Sequence, residues 1–567
     1  MNLADGFELL AAAPDGVSRL RKLVLSLAIQ GRLVPQDRRD EPASALLNEI
    51  QRTKEALVTE GKLSRIQPFA RIAETEKPFS IPEGWSWARF GEVSINRDGE
   101  RVPVSSAERE KRQKIYDYYG ASGVIDKIDG YLFDKTLLLI GEDGANLINR
   151  STPIAFLASG KYWVNNHAHV VDTTHDMLMQ YLCLFINAIS LEPYITGTAQ
   201  PKMNQAKLNS IVIALPPLRE QARIIAKVEE LMRLCDDLES RGGLEAEQHA
   251  RLTATLFETL AESESTHALA EDWSRIASHF DLLLDRPEAV DVLEQTIVQL
   301  AVRGLLVTQN AKDEPVSDLI QRIRMAKDRS IARGEMKRDK PLPAIADDEK
   351  PFALPEGWDW VRFGDVVQIS SGVTLGRKTP LKDPVSLPYL RVANVQRWHL
   401  VLSEVKDVII DRTEIERFRL LRHDLLITEG GDWDKVGRTC LWRDEIDLCL
   451  HQNHIFKARG LVDEWSPQWA ELFLNSPDAR AYFASSAKQT TNLASINMSE
   501  LKRCVFPTPP VAEQIRIVAR VAELRQLCAD LRARLTARQT CQGNFAATLV
   551  EQMAAAGPDE GRMEQAA

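Results

Sequence analysis

The stretch "PEGWSWARFGEV" at residues 82–93 returns as "PEGWDWVRFGDV" at residues 355–366. Tryptophan is a large side chain that proteins bury or use as an anchor, and Pro-Glu-Gly favours a turn. An ordinary linker would not need this combination once, and this chain carries it twice. The phrase therefore indicates a duplicated structural unit, and such a repeat decides the architecture.

The duplication extends beyond the tryptophan phrase, whose two copies lie 273 residues apart. A second block, "PPLREQARIIAKVEELMRLCDDL" at 216–238, returns as "PPVAEQIRIVARVAELRQLCADL" at 509–531, which is 293 residues later. The segments between the blocks, 88–215 and 361–508, do not obviously match each other. The chain is thus a framework written twice, and each copy encloses a different insert.

Net charge separates the framework from the inserts. The chain carries a formal charge of −10, but residues 88–215 hold 13 basic against 14 acidic side chains and residues 361–508 hold 20 against 19. The negative charge therefore lies in the framework and the tails. Neither insert is basic overall, so contacts with phosphate groups must come from basic side chains gathered on one face.

Composition excludes several classes of protein. With 567 residues, of which 44% are hydrophobic and 27% charged, the chain is long enough for several globular domains. No apolar run approaches the length of a membrane span, and the N-terminus lacks the pattern of a secretory signal. Seven cysteines without a CxxC pair indicate a reducing compartment. We therefore expect a cytoplasmic protein of a microbe without membrane contact.

The framework is predicted to be helical. In the block at 216–238 the apolar residues alternate spacings of four and three, namely Ile224, Val228, Leu231, Cys235 and Leu238. That is the stripe of a coiled-coil helix, and the block at 509–531 repeats it. Gly242-Gly243 is expected to interrupt the first of these helices. Further helices are predicted near 17–30 and 43–60 and at the same places of the second copy.

Both inserts are predicted to be mixed α/β. Runs of strand-forming residues bounded by Gly, Asp and Asn occur at 130–144, 160–172 and 451–459. A buried helix is predicted at 177–189 in the first insert and another near 466–484 in the second. Between the framework copies, "ESESTHALAEDWSR" at 262–275 has the composition of a polar linker.

No complete catalytic constellation is present in the sequence. "GVTLGRKT" at 372–379 is one residue short of a phosphate-binding loop. Asp383 with the later triplet "EVK" matches a nuclease pattern so loose that chance accounts for it. His167 and His169 lie on one face of a predicted strand, but a metal site usually needs three or four ligands. Hydrogen bonding or base readout is therefore the favoured role for this pair.

Polar side chains suited to reading base edges are frequent in both inserts. Arginine pairs with guanine, and asparagine and glutamine pair with adenine, each through two parallel hydrogen bonds. The candidates in the first insert are Arg97, Arg101, Asn146, Asn149, Arg150, Lys161, Asn165, Asn166 and His167. Those in the second insert are Thr374, Arg377, Lys378, Asn394, Gln396, Arg397, Lys435, Arg438, His451, Gln452, Asn453 and His454. Any one of them is equally well explained as a solvated loop residue, and only the collection indicates DNA binding.

Framework segments carry a resemblance to a known family. "AIQGRLVPQ" at 28–36, "LPEGWDW" at 354–360, and "KLNSI" followed by "PPLREQARI" at 207–224 resemble the specificity subunits of type I restriction–modification systems. The resemblance covers nearly the whole chain. It implies an α+β fold with two globular α/β target recognition domains, joined by a pair of long antiparallel coiled-coil-like helices with an internal pseudo-twofold repeat.

The resemblance also implies a division of labour. Conserved helical regions are expected at 1–85, 217–357 and 510–567, and target recognition domains at 86–216 and 358–509. Each recognition domain would read one half of a bipartite, asymmetric site in double-stranded DNA. The helices would set the spacer and dock two methyltransferase subunits, which motor–nuclease subunits join for defence against phage. S-adenosylmethionine, ATP and Mg would serve those partners, and this chain would bind no cofactor or metal and would not be an enzyme.

Two alternatives come from other classes of protein. The first is a self-contained enzyme, a fused methyltransferase or nuclease, and the missing motifs count against it. The second is a scaffold that binds proteins and no nucleic acid, which sequence-specific DNA binding by an isolated insert would eliminate.

Overall fold

The computed structural model describes residues 10–11, 13–63, 68–197, 200–376, 381–431, 435–490 and 493–555. The chain divides into two compact units, Met1–Glu245 with Arg538–Ala567 (unit 1) and Ala246–Ala537 (unit 2). Each unit contains one tryptophan phrase and one insert, and each combines helices with sheets that are mainly antiparallel. The fold therefore belongs to the expected α+β class. No helix in the described ranges is both long and apolar enough to cross a membrane.

Short helices and strands alternate within each insert, and a long helix follows each insert. The helices are α1 Gly16–Ile29, α2 Ala43–Thr59, α3 Phe90–Val93, α4 Ser106–Arg109, α5 Asn146–Asn149, α6 Asp176–Ala188, α7 Gln205–Ser210, α8 Leu218–Ala261, α9 Thr266–Ala277, α10 Phe280–Leu283, α11 Pro287–Val302, α12 Val316–Ala332, α13 Phe363–Val366, α14 Ile415–Phe418, α15 Pro467–Leu474, α16 Pro477–Ser486, α17 Met498–Arg503 and α18 Val511–Ala555. The strands are β1 Ser86–Arg89, β2 Ile95–Asn96, β3 Tyr116–Gly120, β4 Gly123–Ile128, β5 Phe133–Asp134, β6 Leu137–Gly141, β7 Ala155–Ala158, β8 Lys161–Val164, β9 Ala168–Asp172, β10 Val212–Leu215, β11 Asp359–Arg362, β12 Val367–Ser371, β13 Pro384–Leu390, β14 Lys406–Asp411, β15 Leu425–Thr428, β16 Gly430–Gly431, β17 Thr439–Leu441, β18 Leu450–His451, β19 Ile455–Gly460, β20 Lys488–Thr490, β21 Leu493–Ser495 and β22 Val505–Thr508.

The four short framework helices are present as predicted, as α1, α2, α11 and α12. Helix α1 ends just before Gly31 and α11 just before Gly304, whose φ angles are +70° and +73°. Glycine adopts this left-handed conformation without strain. A Cβ atom at either glycine would also collide with the proline and tryptophan of the neighbouring phrase. The end of each helix is therefore packed against the tryptophan phrase that follows it.

The tryptophan phrase fixes each insert to the framework. Trp85 donates an Nε1–H hydrogen bond to Glu220 in the first turn of α8 at 3.0 Å, and Trp358 donates one to Glu513 of α18, also at 3.0 Å. Beside these contacts, β1 pairs antiparallel with β10, and β11 pairs with β22. The strand that enters each insert is thus bonded to the strand that leaves it. Two inserts need two such junctions, which explains why the phrase occurs twice.

The coiled-coil stripes lie on two long helices. Helices α8 and α18 contain 44 and 45 residues, so each is about 66 Å long at 1.5 Å per residue. The expected interruption at Gly242-Gly243 is wrong, because α8 runs through both glycines. A glycine costs roughly 1 kcal/mol against alanine inside a helix. That cost is small beside the packing of the flanking stripe, where Ile224 and Cys235 are fully buried.

The two inserts share a sheet that their sequences do not reveal. In insert one the strand order is β2-β9-β6-β7, and in insert two it is β12-β19-β15-β17. Both are four-stranded and antiparallel, with the last long strand of the insert paired to the first. The remaining sheets differ, being β4-β3-β8-β5 in insert one and β14-β13-β18 and β16-β21-β20 in insert two. The inserts therefore carry different additions on a common sheet.

Two further expectations need correction. The helix predicted near 466–484 consists of α15 and α16, because Ser476 caps a new helix that begins at Pro477. Proline suits the first turn of a helix and breaks one that precedes it. The segment 262–275, expected to be a polar linker, forms most of α9, whose N-cap Ser265 accepts a hydrogen bond from the backbone of Ala268. The serine cap and the helix-forming alanine and leucine residues after it favour a helix, although the polar composition of the segment had indicated a linker.

Candidate nucleic-acid interface

One polar cluster lies where two central strands of insert one meet a loop. After β6 the backbone N–H of Glu142 donates to the carbonyl oxygen of His167, just before β9, at 2.9 Å. The His167 ring contacts the Asp143 carboxylate through Nδ1 at 2.8 Å. Lys202 approaches Glu142 at 3.2 Å, and the next residue, Met203, donates its N–H to the Glu142 carbonyl at 2.8 Å.

Insert two repeats the backbone hydrogen bonds with Glu429 in place of Glu142, but here the same residue also carries the carboxylate that meets the histidine. The N–H of Glu429, after β15, donates to the carbonyl oxygen of His454, just before β19, at 2.9 Å. The His454 ring meets the Glu429 carboxylate through Nδ1 at 2.5 Å. Ile496 donates its N–H to the Glu429 carbonyl at 2.9 Å, as Met203 does in insert one. We call Glu142, Asp143, His167 and Lys202, and in insert two Glu429 and His454, the strand-end clusters.

The paired histidines are accessible to a ligand. The side chain of His167 is 50% exposed and that of His454 is 55% exposed. A carboxylate that accepts from Nδ1–H fixes the tautomer of a neutral imidazole and leaves Nε2 as an acceptor. Such an acceptor matches the exocyclic amino groups that adenine and cytosine present in the major groove. When protonated, the same nitrogen becomes a donor to guanine or to phosphate.

Charged residues, among them the buried His169 and its partner Asp98, lie next to the strand-end cluster of insert one and hydrogen-bond to each other. His169 is 1% exposed, with Nδ1 at 2.6 Å from Asp98 and Nε2 at 2.8 Å from the carbonyl oxygen of Met203. Burial lowers the pKa of His169, but the hydrogen bond and charge of Asp98 outweigh it, so its pKa is raised. Both ring nitrogens face acceptors, which suits an imidazolium ion. Among the described residues no group of three or more His, Cys, Asp or Glu side chains could hold a metal ion.

Several candidates of insert one lie at or beside the cluster. Asn165, Asn166 and His167 form the turn between β8 and β9, where the Asn165 side chain accepts from the N–H of His167 at 2.8 Å. Asn146 and Asn149 belong to α5, shortly after Asp143. These residues are exposed or half-buried, except Asn165, which is buried.

The basic candidates of insert one make contacts within the fold. Arg97 pairs with Asp172 at 2.7 Å, and Arg101 pairs with Glu142 at 2.9 Å. Arg150 donates to a backbone oxygen at the end of α6 at 2.8 Å. These guanidinium groups are used to hold the insert together. A fourth candidate, Lys161, starts β8 at the opposite end from the cluster, with its ammonium 4.8 Å from the centre of an aromatic ring.

Insert two brings most of its candidates to its cluster. Asn453 contacts His454, and the Asn453 backbone donates to Val373, which precedes Thr374. The turn that leads from β15 to β17 contains Lys435 and ends at Arg438, whose N–H donates to Thr428 at the end of β15. Arg438 also donates to Gln396. Gln452 lies between β18 and Asn453. Arg377 and Lys378 lie outside the described residues.

Three candidates of insert two serve its core. Asn394 is 3% exposed and donates to the carbonyl oxygens of residues 401 and 404. His451 is fully buried, and burial together with the charge of Lys457 lowers its pKa to about 3. It is therefore a neutral core histidine. Arg397, which is half-buried, reaches Asn475 at the end of α15 at 3.4 Å.

Comparison with known proteins identifies the family. Residues 82–248 match the family model of the type I restriction modification DNA specificity domain. The EcoAI specificity subunit of Escherichia coli is 34% identical over 93% of this chain and 92% of its own length. The EcoEI specificity subunit of the same species is 31% identical over 94% and 93%. The chain belongs to the specificity subunits of type I restriction–modification systems. It is the DNA-recognition subunit of such a system and is not itself catalytic.

Solved structures give a weaker likeness to this specificity subunit. A chain from a type I restriction–modification assembly is 18% identical, with a TM-score of 0.44 over 84% of this chain and 99% of its own. The HsdS subunit from Thermoanaerobacter tengcongensis is 17% identical, with a TM-score of 0.36 over 85% and 99%.

Sequence reasoning missed the acidic half of both strand-end clusters. The residues predicted from the sequence are hydrogen-bond donors and amides that pair with bases, and Asp143 and Glu429 are neither. A signal was available, since "GEDG" follows the apolar run of β6 and "TEGG" ends that of β15. The segments at 198–211 and 490–504 also align in sequence between the two halves of the specificity subunit. The structure shows that Met203 and Ile496 of these segments donate backbone hydrogen bonds to Glu142, which precedes Asp143, and to Glu429.

Proposed function

We propose that each insert reads one half of a split, asymmetric site in double-stranded DNA. The supporting observation is the strand-end cluster, in which corresponding backbone hydrogen bonds join the strands of both inserts while the surrounding polar side chains differ. Insert one surrounds its histidine with asparagines and Lys202, and insert two with Gln452, Asn453 and Arg438. A common frame with different polar side chains suits two modules that read different base sequences in one geometry. The modules are residues 86–216 and 358–509.

Within this proposal, base contacts come from the exposed candidates around the clusters, with His167 and His454 at their centres. The buried or internally paired candidates, such as Arg101, Asn394 and His451, act by keeping the loops in place. Rigid support of this kind gives a recognition surface its precision. Arg377 and Lys378 remain candidates from the sequence.

The framework regions 1–85, 217–357 and 510–567 carry the rest of the proposed function. Helices α8 and α18 act as an antiparallel, coiled-coil-like spacer with pseudo-twofold symmetry, and they dock two methyltransferase subunits to which motor–nuclease subunits are added. S-adenosylmethionine, ATP and Mg serve those partners. The seven free cysteines, five of them buried, suit a reducing cytoplasm, where the complex would act against phage DNA.

Exchange of one module tests the proposal. Residues 86–216 are replaced by the corresponding insert of a relative, the hybrid is expressed with its methyltransferase and restriction subunits, and methylated sites are sequenced. The expected result is a new sequence in one half of the site and an unchanged second half. The matched experiment exchanges 358–509. A change in both halves after either single exchange would rule out independent modules.

A further inference from the structure

A cleft in unit 1 separates the framework from insert one. One wall is the long helix α8, with Ile225, Val228 and Met232, and the other is α6, with Leu184. Leu25 of α1 closes the floor. The cleft has a volume of about 690 Å³, and no aromatic side chain is among the described residues that line it.

Unit 2 contains the counterpart of this cleft, built from corresponding residues. Val518, Val521 and Arg525 of α18 stand where Ile225, Val228 and Met232 stand on α8, each 293 residues later. Leu472 of α15 replaces Leu184, and Val298 of α11 replaces Leu25. Here the space is occupied. Trp398 from insert two lies in the counterpart cleft. Two smaller cavities of about 300 and 200 Å³ remain there, and Trp398 lines both.

Trp398 is held in this position by several contacts. Its φ angle is +69°, which non-glycine residues adopt only when the surroundings enforce it. Its N–H donates to the carbonyl oxygen of Thr439 at 3.2 Å. The Arg525 guanidinium lies 4.3 Å from the ring centre and is itself fixed by Glu294 at 2.6 Å. The counterpart cleft is thus built to hold an aromatic side chain.

No aromatic side chain is among the described residues that line the unit 1 cleft, and apolar surface there remains exposed. Leu472, beside Trp398, is 3% exposed, whereas its counterpart Leu184 is only half-buried. Leu157, at the edge of the open cleft, is 38% exposed. The two basic groups at the rim are already engaged, since Arg21 pairs with Asp236 and Glu239 and Arg150 donates to backbone oxygens. The third charged residue in the lining is the acidic Glu229. The cleft therefore offers apolar contact rather than charge, which argues against a nucleic acid as its occupant.

We propose that the open cleft of unit 1 binds an aromatic side chain presented by a partner protein, which takes the place that Trp398 fills in unit 2. Interfaces commonly place a buried aromatic anchor in a pocket of this kind. Met232 replaces Arg525, which stacks on the face of the Trp398 ring, and offers its thioether side chain to the face of an aromatic ring. The cleft adjoins α8, so the anchor belongs to a methyltransferase subunit. This last step rests on the proposed docking role of the framework.

Methyl NMR of the intact specificity subunit tests the site directly. The chain has 10 methionines, and isotope-labelled methyl groups report on each, with Met232 assigned through Met232→Leu. On addition of the cognate methyltransferase subunit, the Met232 methyl signal should move upfield, because a ring stacked on it shields the methyl group. The signals of Met179 and Met203, buried in the core, should stay in place. Complex formation without an upfield shift of Met232 would overturn the proposal.

A variant that fills the cleft from within gives an independent test. Leu157→Trp places an indole at the cleft edge and should weaken binding of the methyltransferase subunit about tenfold or more, as losing a buried anchor does. Leu421→Trp, at an equally exposed leucine of insert two (38%), should bind like wild type. Equal binding by both variants would contradict the proposal. Failure of the wild-type chain to bind the subunit at all would instead remove the proposed docking function, and this inference with it.

Discussion

Arg21 on α1 forms an ion pair with Glu239 on α8 at 2.7 Å, and the corresponding residues of the second copy exchange the charges. There Glu294 on α11 pairs with Arg532 on α18 at 2.9 Å. If each short helix packed on the other copy's long helix, Arg21 would meet Arg532 and Glu294 would meet Glu239. The reversal therefore opposes mispairing of two otherwise similar framework copies, in the way that repulsive pairs enforce specificity in natural interfaces.

Charge reversal at Arg21 should weaken unit 1. Arg21→Glu would place like charges together, and we expect a loss of about 1 kcal/mol, since the pair is partly exposed to solvent. The double variant Arg21→Glu/Glu239→Arg should recover part of the loss, because Asp236, 2.6 Å from Arg21 in the wild type, would still face the new glutamate. Urea unfolding of the three proteins measures both effects. A double variant no more stable than Arg21→Glu would show that the Arg21–Glu239 pair has no stabilising role.

The buried histidine of insert two should make the fold sensitive to acid. The pKa of His451 is lowered to about 3 by burial and by Lys457, whereas an unfolded histidine titrates near 6.5. Between these values the unfolded chain binds a proton that the folded chain does not, so stability falls as pH falls. From pH 7 to pH 5 the loss from this residue should be about 2 kcal/mol.

Replacement of His451 by asparagine isolates this effect. The side-chain amide of the new asparagine could still donate to the carbonyl oxygen of Phe418, which the histidine ring contacts at 3.0 Å, but it cannot titrate. The difference in unfolding free energy between pH 7 and pH 5 should therefore shrink in His451→Asn. His169, whose pKa is raised, acts in the opposite direction and cancels in the comparison with wild type. His267→Gln, at an exposed position, is the control and should leave the pH dependence as it is.

The strand-end histidine of insert two should contribute to base discrimination. If the Nε2 atom of His454 meets a base edge, His454→Ala should lose roughly 1–3 kcal/mol at one position of one half-site. Competition with duplexes that differ by single bases measures this. Gln452→Ala and Arg438→Ala are tested in the same way, and each should lose discrimination at the base position that its side chain reads. A uniform loss across all sequences, with a shallower dependence on salt, would identify a phosphate contact instead. The control is His267→Ala, at an exposed position of framework helix α9 outside both inserts, which should change neither the base discrimination nor the salt dependence.

Sequence periodicity placed the short framework helices because helix stripes and glycine stops are local signals, but it wrongly interrupted α8 at Gly242-Gly243 and missed α9. The stops at Gly31 and Gly304 and the extent of α2 and α12 follow from them. The shared four-stranded sheet was missed because its strands pair across long separations, and any apolar residues of the right size can fill it. The site was only partly foreseen, since which of two arginines points to solvent depends on tertiary partners. Asp172 engages Arg97, for example, and no local pattern announces that contact.

The length of α8 should set the gap between the two half-sites. A helix rises about 1.5 Å per residue, so four residues inserted at Ala246, close to one turn, would lengthen α8 by about 6 Å. That distance corresponds to roughly two base pairs at 3.4 Å each. Sequencing of methylated sites should show both half-sites unchanged and the spacer longer by one or two base pairs. Four residues inserted near Lys337, in the exposed loop after α12, serve as the control and should leave the spacer as it is. An active α8 variant with the original spacer would mean that the length of α8 does not set the gap between the half-sites.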